Sequence, residues 1–386
     1  MVVALTAVAV GLLLRSRNML VWIGPYLRGR LKPRPPAQGT IHVLFCFVDH
    51  YEPMWNSPTR EIEDHRVRQW ELGYPKLADR HADSEGVKPQ HTFFYPEEEY
   101  RFEHLEAIRE LCVQGYGEIE VHLHHDNDTD AGLRQKLDGF CQTLSESHGA
   151  LPRDPDSGKT LYAFIHGNWC LDNSAPDGRN CGVDNELEVL ADTGCYADFT
   201  LPSAPDASQT RKINSIYYAT ETGRPKSHND GVDVEVGREP QGDLMIIQGP
   251  LGLNWADRKW GIIPRIENGN ITGNQPPTPQ RVDLWVKAGI HVKGQPNWVF
   301  VKIHTHGAQD SSIDCLLGDP VDQMHSYLES RYNDGQDYCL HYVNAREMYN
   351  IVKAAESGKT GNPAQYRDFL LARPEFGQPG RSSTPL

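Results

Sequence analysis

The chain has 386 residues, a formal net charge of −14 and the charged and apolar fractions of an ordinary soluble globular protein. Its negative charge repels phosphate backbones, and no basic stripe with interleaved aromatic residues follows the first 34 residues, so nucleic acid is not an expected partner. The eight cysteines are scattered without a C-x-x-C pair, which favours reduced thiols and a cytosol-facing protein.

Residues 1–31 are predicted to associate with a membrane. Val2 to Leu14 is a continuous run of apolar and small residues, but it is shorter than the about 20 residues that an ordinary transmembrane helix needs. Arg15 and Arg17 follow this run, whereas a signal peptide carries its positive charge before it. The positive-inside rule then places the rest of the chain in the cytoplasm. A leader of no functional consequence is the alternative.

A Pro-rich linker is expected at residues 32–40 and a folded body at residues 41–360. In the body, short apolar runs that end in polar residues alternate with amphipathic stretches, which is typical of strands alternating with helices. The predicted strands are residues 41–49, 90–96, 118–125, 160–166, 195–201, 243–248, 298–304 and 338–343. The predicted helices are residues 59–80, 102–111, 133–144, 185–193, 321–331 and 345–356.

This alternation predicts an α/β fold with a parallel sheet and right-handed crossovers. We expect a (β/α) barrel, of an incomplete kind with seven parallel strands. Residues 202–280 are rich in Gly, Asn and Pro and are predicted to form an insertion of loops and short hairpins, and residues 361–386 a C-terminal tail.

Polar side chains that can bind a metal cluster where the predicted strands end. They are Asp49 and His50, the segment His122 to Asp126, His166, and His304 with His306. In parallel β/α barrels, the carboxyl ends of the strands form the active face. The sequence therefore predicts that these residues meet in one site.

The segment VHLHHDND gives the strongest local signal for a metal. In a strand, His122 and His124 lie on one face, Asp126 continues that alternation, and His125 faces the other way. Imidazole and carboxylate ligands with an open position suit one divalent ion, with zinc as the first choice and iron, cobalt or nickel as alternatives.

Other polar residues near the strand ends are candidates for substrate contact or acid catalysis. In KIHTHG, one of His304 and His306 is expected to bind metal and the other to act as a general acid. Trp169 could stack on a sugar ring or belong to the core. The predicted substrate-binding residues are Glu52, His166, Asn168, Trp169, Arg265 and His306.

The order of these motifs resembles that of the polysaccharide deacetylase superfamily, of the NodB-homology or carbohydrate esterase family four type, over roughly residues 41–307. That family pairs two acids after its first strand, and Asp49 with His50 resembles this pair with the second acid replaced. The family's second motif contains two histidines, and EIEVHLHHD resembles it with His122 in the first place and Asp126 in the second. The family's late apolar strand that ends in a catalytic histidine resembles VKIHTHG, with His304 in that place. Its arginine and aromatic motif has no clean counterpart, and FIHGNWCLD is only the positional equivalent.

The resemblance implies a metal-dependent hydrolase that removes acetyl groups from a polysaccharide or a lipid-linked sugar. It implies Asp49 as the base, His304 as the acid, and His50, His122 and Asp126 as ligands, while strand alternation makes His124 a competitor of Asp126. Because the chain departs from the family pattern, Asp49, His122 and His124 could equally form the ligand triad.

Two other functions stay open at this point. A glycoside hydrolase would need two carboxylates about 5 to 9 Å apart. A non-catalytic carbohydrate-binding component of a polysaccharide assembly system would use its histidines structurally.

Overall fold

The computed structural model describes residues 11–31 and 39–376. Three segments lie outside the described residues: most of the N-terminal apolar run, residues 32–38 of the predicted linker and residues 377–386 of the predicted tail. A short helix, α1 (Ile23–Leu31), precedes the body. None of the described helices is long and apolar enough to cross a membrane.

The body alternates strands with helices. Its strands are β1 (Ile41–His50), β2 (His91–Pro96), β3 (Gly117–Leu123), β4 (Tyr162–His166), β5 (Cys195–Asp198), β6 (Ile216–Ala219), β7 (Val232–Asp233), β8 (Leu244–Ile247), β9 (Gly252–Lys259), β10 (Ile263–Glu267), β11 (Asn270–Ile271), β12 (Trp298–Thr305) and β13 (Tyr338–Val343). Its helices are α2 (Arg60–Ala78), α3 (Phe102–Val113), α4 (Asp130–Glu146), α5 (Glu186–Thr193), α6 (Pro279–Ala288), α7 (Asp310–Leu316), α8 (Asp319–Tyr332) and α9 (Ala345–Glu356).

One large sheet carries most of the strands, in the order β11-β12-β1-β2-β3-β4-β5-β8-β6-β7. β13 pairs with the first half of β1 and β2 with its second half, both parallel to it. Only β6 and β7 add antiparallel pairs to this sheet, and β9 with β10 forms a separate hairpin. The predicted α/β fold with a mostly parallel sheet is confirmed. Among the described strands, no pairing joins β7 back to β11, so closure into a barrel is not shown.

The two faces of β1 pack into two different parts of the core. Val43, Phe45 and Phe47 belong to the cluster that includes α2 side chains. Leu44 and Val48 belong to the second cluster, which includes the buried face of α9. Because side chains alternate along a strand, the consecutive residues that end β1 point to opposite sides of the sheet.

The described residues before and after the body pack against it. Trp22 is 0% exposed and contacts a small apolar cluster that includes Leu251 and Leu253. At the other end, Arg109 Nη2 donates to the carbonyl of Phe376 at 2.6 Å. The described part of the predicted C-terminal tail is therefore packed on the body as far as Phe376.

Candidate metal centre

Five of the predicted histidines meet at the carboxyl end of the parallel sheet. They are His50 at the end of β1, His122 and His124 at the end of β3, and His304 and His306 at the end of β12. The ring centroid of His50 lies 4.8 Å from that of His122 and 4.6 Å from that of His306. The parallel register brings these strand ends to one edge, as the sequence predicted.

Glu52 lies among these histidines, two residues beyond the end of β1, and its side chain is buried. Its Oε1 atom is 3.5 Å from Nε2 of His122 and 3.3 Å from Nε2 of His124. Its Oε2 atom is 3.1 Å from Nδ1 of His306. The sequence predicted Glu52 as a substrate contact, and the structure places it at the centre of the cluster.

Nε2 of His122 faces a carboxylate. The Nδ1 atom of the same ring is 2.7 Å from the carbonyl oxygen of Ile165 and donates to it. Nε2 is buried and has no hydrogen-bond partner. It lies 3.5 Å from Oε1 of Glu52. A cation between the two atoms would satisfy both.

The distances around Glu52 suit zinc coordination. Ligands about 2.1 Å from a tetrahedral ion lie about 3.4 Å from one another, and the nitrogens of His122 and His124 lie 3.5 and 3.3 Å from Glu52 Oε1. The far side of His124 is held by Glu98, whose Oε1 atom is 2.5 Å from Nδ1. A carboxylate or backbone carbonyl on the outer nitrogen is the usual arrangement of a histidine that binds a metal.

A second group of three possible ligands, His50, Glu52 and His306, shares Glu52 with the first group of Glu52, His122 and His124. Nδ1 of His50 is buried and has no hydrogen-bond partner. His50 therefore offers a further nitrogen next to the same carboxylate, and the predicted role of His50 as a ligand fits this geometry.

Burial and charge set the protonation of these groups. Burial raises the pKa of Glu52, but the imidazoles of His122, His124 and His306 outweigh it and hold that pKa well below its usual range. Burial lowers the pKa of His124, but Glu52 and Glu98 outweigh it and raise that pKa to about 10. Burial, reinforced by neighbouring cations and histidines, holds the pKa of His50 and of His304 well below its usual range. His50 and His304 are therefore neutral near pH 7.

A strained loop after β4 forms one wall of the site. Asn168 and Trp169 have positive φ angles of 53° and 57°, which asparagine adopts readily but which are costly for a bulky residue such as tryptophan. Trp169 is half-buried, and its ring centroid lies 6.1 Å from that of His50 and 5.8 Å from that of His306. The loop thus presents an aromatic face beside the histidines, where Trp169 was predicted to contact substrate.

The structure places Asp49 away from the cluster. It lies on the opposite face of β1 from His50, where its Oδ2 atom accepts from His91 Nε2 at 2.9 Å and its Oδ1 atom from the backbone amide of Gly307 at 2.5 Å. Both oxygens are buried in structural contacts. The geometry offers no path by which Asp49 takes a proton within this cluster.

Asp126 is also outside the cluster, because β3 ends at Leu123 and the alternation that predicted Asp126 as a ligand stops there. Asp126 is exposed, and its Oδ1 atom accepts from the amide of Asn180. Between the two candidates for the third ligand, the structure brings His124 to Glu52 and leaves Asp126 on the surface.

Three predicted substrate contacts lie elsewhere. Arg265 is exposed on the β9–β10 hairpin and pairs with Asp257. His166 is fully buried and turned toward Glu186 rather than toward Glu52. Asn168 is exposed at the turn before Trp169.

The sequence reasoning missed Glu98. It lies in a short turn of three glutamates directly after β2, at the same edge of the sheet as the predicted histidines. A run of acids at the carboxyl end of a predicted strand was the signal that could have found it.

No family model matches this chain, and no curated protein sequence matches it.

Proposed function

We propose that the chain is a metal-dependent hydrolase in which Glu52, His122 and His124 hold one divalent ion, with zinc as the first choice. The observation that carries this proposal is the buried Nε2 of His122, which has no hydrogen-bond partner and faces the carboxylate of Glu52 at 3.5 Å. When bound, such an ion supplies Lewis-acid chemistry and activates water. Three protein ligands with further positions open are the pattern of catalytic rather than structural zinc.

The substrate class that we propose is an acetylated carbohydrate, and the chain would then be a divergent polysaccharide deacetylase. The motif order supports this through the strand ends at His50, His122 and His304. Lys302 adds support for a barrel-like sheet, because its Nζ atom in β12 donates to the carbonyls of Phe199 and Leu201 beyond β5, which requires strong curvature. Trp169, whose ring lies beside His50 and His306, offers a flat apolar face to a sugar ring.

His306 is better placed than His304 to protonate a leaving group. The His304 side chain is 3% exposed and neutral, whereas His306 is partly exposed and lies between Glu52 and Trp169. In this proposal Glu52 orients His306 through Nδ1, so that Nε2 can carry a proton toward substrate. His304 packs behind His50, at 6.4 Å between ring centroids.

Acetate release tests this proposal. The full-length protein, stripped of metal and then reloaded with zinc, is assayed on N-acetylglucosamine oligomers and on O-acetylated xylan. We expect acetate from one of them only after reloading, and loss of at least about 100-fold in rate in His122→Ala, in keeping with loss of a metal site. The control His65→Ala changes an exposed histidine on α2 and is expected to keep full activity.

Release of reducing ends without acetate would point instead to glycoside hydrolysis and contradict the proposal. Equal activity of the stripped and reloaded protein would contradict the metal.

We also propose that the protein associates with a membrane through its N-terminal segment. Leu20, Leu27 and Leu31 are exposed there at 58, 53 and 83%. Trp22 is packed on the body, so substitutions of the exposed leucines are a cleaner test than deletion of the segment. Flotation with anionic phospholipid vesicles should carry the wild-type protein upward and leave Leu20→Glu/Leu27→Glu behind. Wild-type protein that stays at the bottom of the gradient would contradict this proposal, whereas equal flotation of both would contradict the role of these leucines.

A further inference from the structure

A second group of metal-binding side chains lies on the other side of the β3 end from the proposed catalytic centre. His125, His166, Cys181 and Glu186 each offer a ligand atom, and these atoms all lie within 4.8 Å of one another. All four residues are buried, with exposures of 6, 0, 0 and 0%. Burying so many polar groups is costly unless they are paired or hold a metal.

The donor atoms converge on the carboxylate of Glu186. Its Oε1 atom is 3.2 Å from Nε2 of His125 and 3.5 Å from Nε2 of His166, and its Oε2 atom is 3.4 Å from Sγ of Cys181. The two distances to Oε1 are close to the edge of a tetrahedron around a zinc ion with its usual ligand distances, about 3.4 Å. Cys181 Sγ lies beside the other oxygen of the same carboxylate.

His166 repeats the arrangement seen at His122. Its Nδ1 atom is 2.5 Å from the carbonyl oxygen of Gly167, so Nδ1 carries the proton of the neutral ring. Nε2 is then a lone pair that is buried, has no hydrogen-bond partner and faces the Glu186 carboxylate. Hydrogen bonds among the four side chains leave this nitrogen unsatisfied, whereas a cation at the centre would satisfy it.

The surroundings also suit coordination. Backbone amides of Asn173 and Val183 donate to Sγ of Cys181 at 3.3 and 3.5 Å. Burial and the adjacent Glu186 carboxylate nevertheless raise the pKa of this thiol, so a bound metal would displace its proton. Asp128 Oδ2 lies 3.3 Å from the outer nitrogen of His125. The carbonyl that accepts from Nδ1 of His166 is the kind of support expected behind a metal ligand.

We propose that His125, His166, Cys181 and Glu186 form a closed, four-ligand site for a zinc-like divalent ion, distinct from the centre at Glu52. One thiolate, two imidazoles and one carboxylate suit zinc better than magnesium or calcium, which prefer oxygen ligands alone. With four buried protein ligands the ion has no position for substrate, so its role is structural.

The site would fix the loop that forms the wall of the catalytic centre. His125 lies two residues after the end of β3, and His166 is the last residue of β4. Cys181 lies in the long loop after β4, and Glu186 is the first residue of α5. Trp169 lies in that same loop, between His166 and Cys181. An ion at this position therefore cross-links the irregular segment that presents Trp169 to the sheet that carries His124.

Cobalt substitution of the full-length protein separates the two sites, because only the second contains sulfur. We expect cobalt-loaded wild-type protein to show a sulfur-to-cobalt charge-transfer band in the near ultraviolet, and Cys181→Ser to lose both that band and one equivalent of metal. Cys170→Ser, in the same loop and also buried, is the matched control and should keep both. His122→Ala should keep the band while losing metal from the other site.

The wild-type spectrum alone can overturn the proposal, whether or not a variant folds. A metal-loaded wild-type protein without the band, and with no sulfur neighbour of the metal in X-ray absorption, would show that Cys181 is not a ligand. Loss of the band in Cys170→Ser with retention in Cys181→Ser would assign the sulfur to another residue and would equally contradict the site.

Discussion

Asp49 and His91 are joined across β1 and β2 by a fully buried contact of 2.9 Å between Oδ2 and Nε2. The other oxygen of Asp49 accepts from the amide of Gly307, the residue after His306. No side-chain carbon fits at Gly307, since a Cβ there would lie 1.9 Å from Asp49 Oδ2. Asp49 therefore ties together the segments that carry His50 and His306, which is a positioning role.

Asp49→Asn should lower the free energy of unfolding by about 1 to 3 kcal/mol, because the amide cannot accept from both His91 and Gly307 as the carboxylate does. Zinc stoichiometry should be unchanged. Urea unfolding measures the free energy of unfolding, and elemental analysis measures the zinc stoichiometry. Asp257→Asn, which removes an exposed pair with Arg265, is the control and should cost less than about 1 kcal/mol. Unchanged stability with abolished hydrolysis would instead make Asp49 the base.

Glu98→Gln should weaken zinc binding by about 10 to 100-fold, because the carboxylate that orients His124 and makes its ring more basic is lost. Competition with a chromophoric chelator measures the affinity. Glu97→Gln lies in the same turn and serves as the matched control, with affinity expected to stay near wild type. Equal losses in both variants would show that the turn's overall charge, and not the contact to His124, matters.

Gly167→Ala should disturb the catalytic centre although it replaces none of the proposed ligands. A Cβ at position 167 would lie 2.3 Å from Cδ2 of His124 and 2.8 Å from the carbonyl oxygen of Leu123, so the His124 ring must move. We expect a loss of zinc affinity together with a fall in thermal stability. Gly139→Ala in α4 meets no atom within 4 Å and is expected to be neutral or slightly stabilising. Wild-type zinc affinity in Gly167→Ala would contradict the placement of His124.

Zinc uptake should release a proton. The pKa of His124 in the metal-free protein is raised to about 10, so its ring is protonated near neutral pH, and Nε2 must lose its proton before it binds metal. Since the proton is bound only in the metal-free state, apparent zinc affinity rises with pH, by up to about tenfold per pH unit below that pKa. Calorimetry of the Cys181→Ser protein, which lacks the sulfur ligand of the proposed second site, in two buffers of different ionisation enthalpy counts the protons. Binding heats that do not depend on the buffer would rule out this account of His124.

The sequence was sufficient to find the strand ends but not the contacts between them. The apolar runs before His50 and His304 and the alternating segment before His122 each define a strand, and the parallel order then brings their ends together. Alternation correctly paired His122 with His124, because His124 immediately follows β3. It could not be extended to Asp126, since the chain turns there and Asn127 has a φ of 48°.

Contacts made by long side chains from loops have no periodic signal. Glu98 reaches His124 from 26 residues away, and Glu186 reaches His125 from 61 residues away. The apolar and polar pattern of one segment does not indicate a contact with a side chain so far away in the sequence. The face of Asp49 was predictable from alternation within β1. Its contact with His91 was not, because it depends on the register of β1 and β2, in which His91 pairs with Phe47, two residues before Asp49.

The position of a bound ion tests the central claim most directly. Anomalous diffraction at the zinc absorption edge, from crystals of protein loaded with zinc, should show a peak about 2.0 to 2.2 Å from Glu52 Oε1 and from Nε2 of His122 and His124. A map without a peak at that point, with Glu52 and the two histidines in the same positions, would contradict the account.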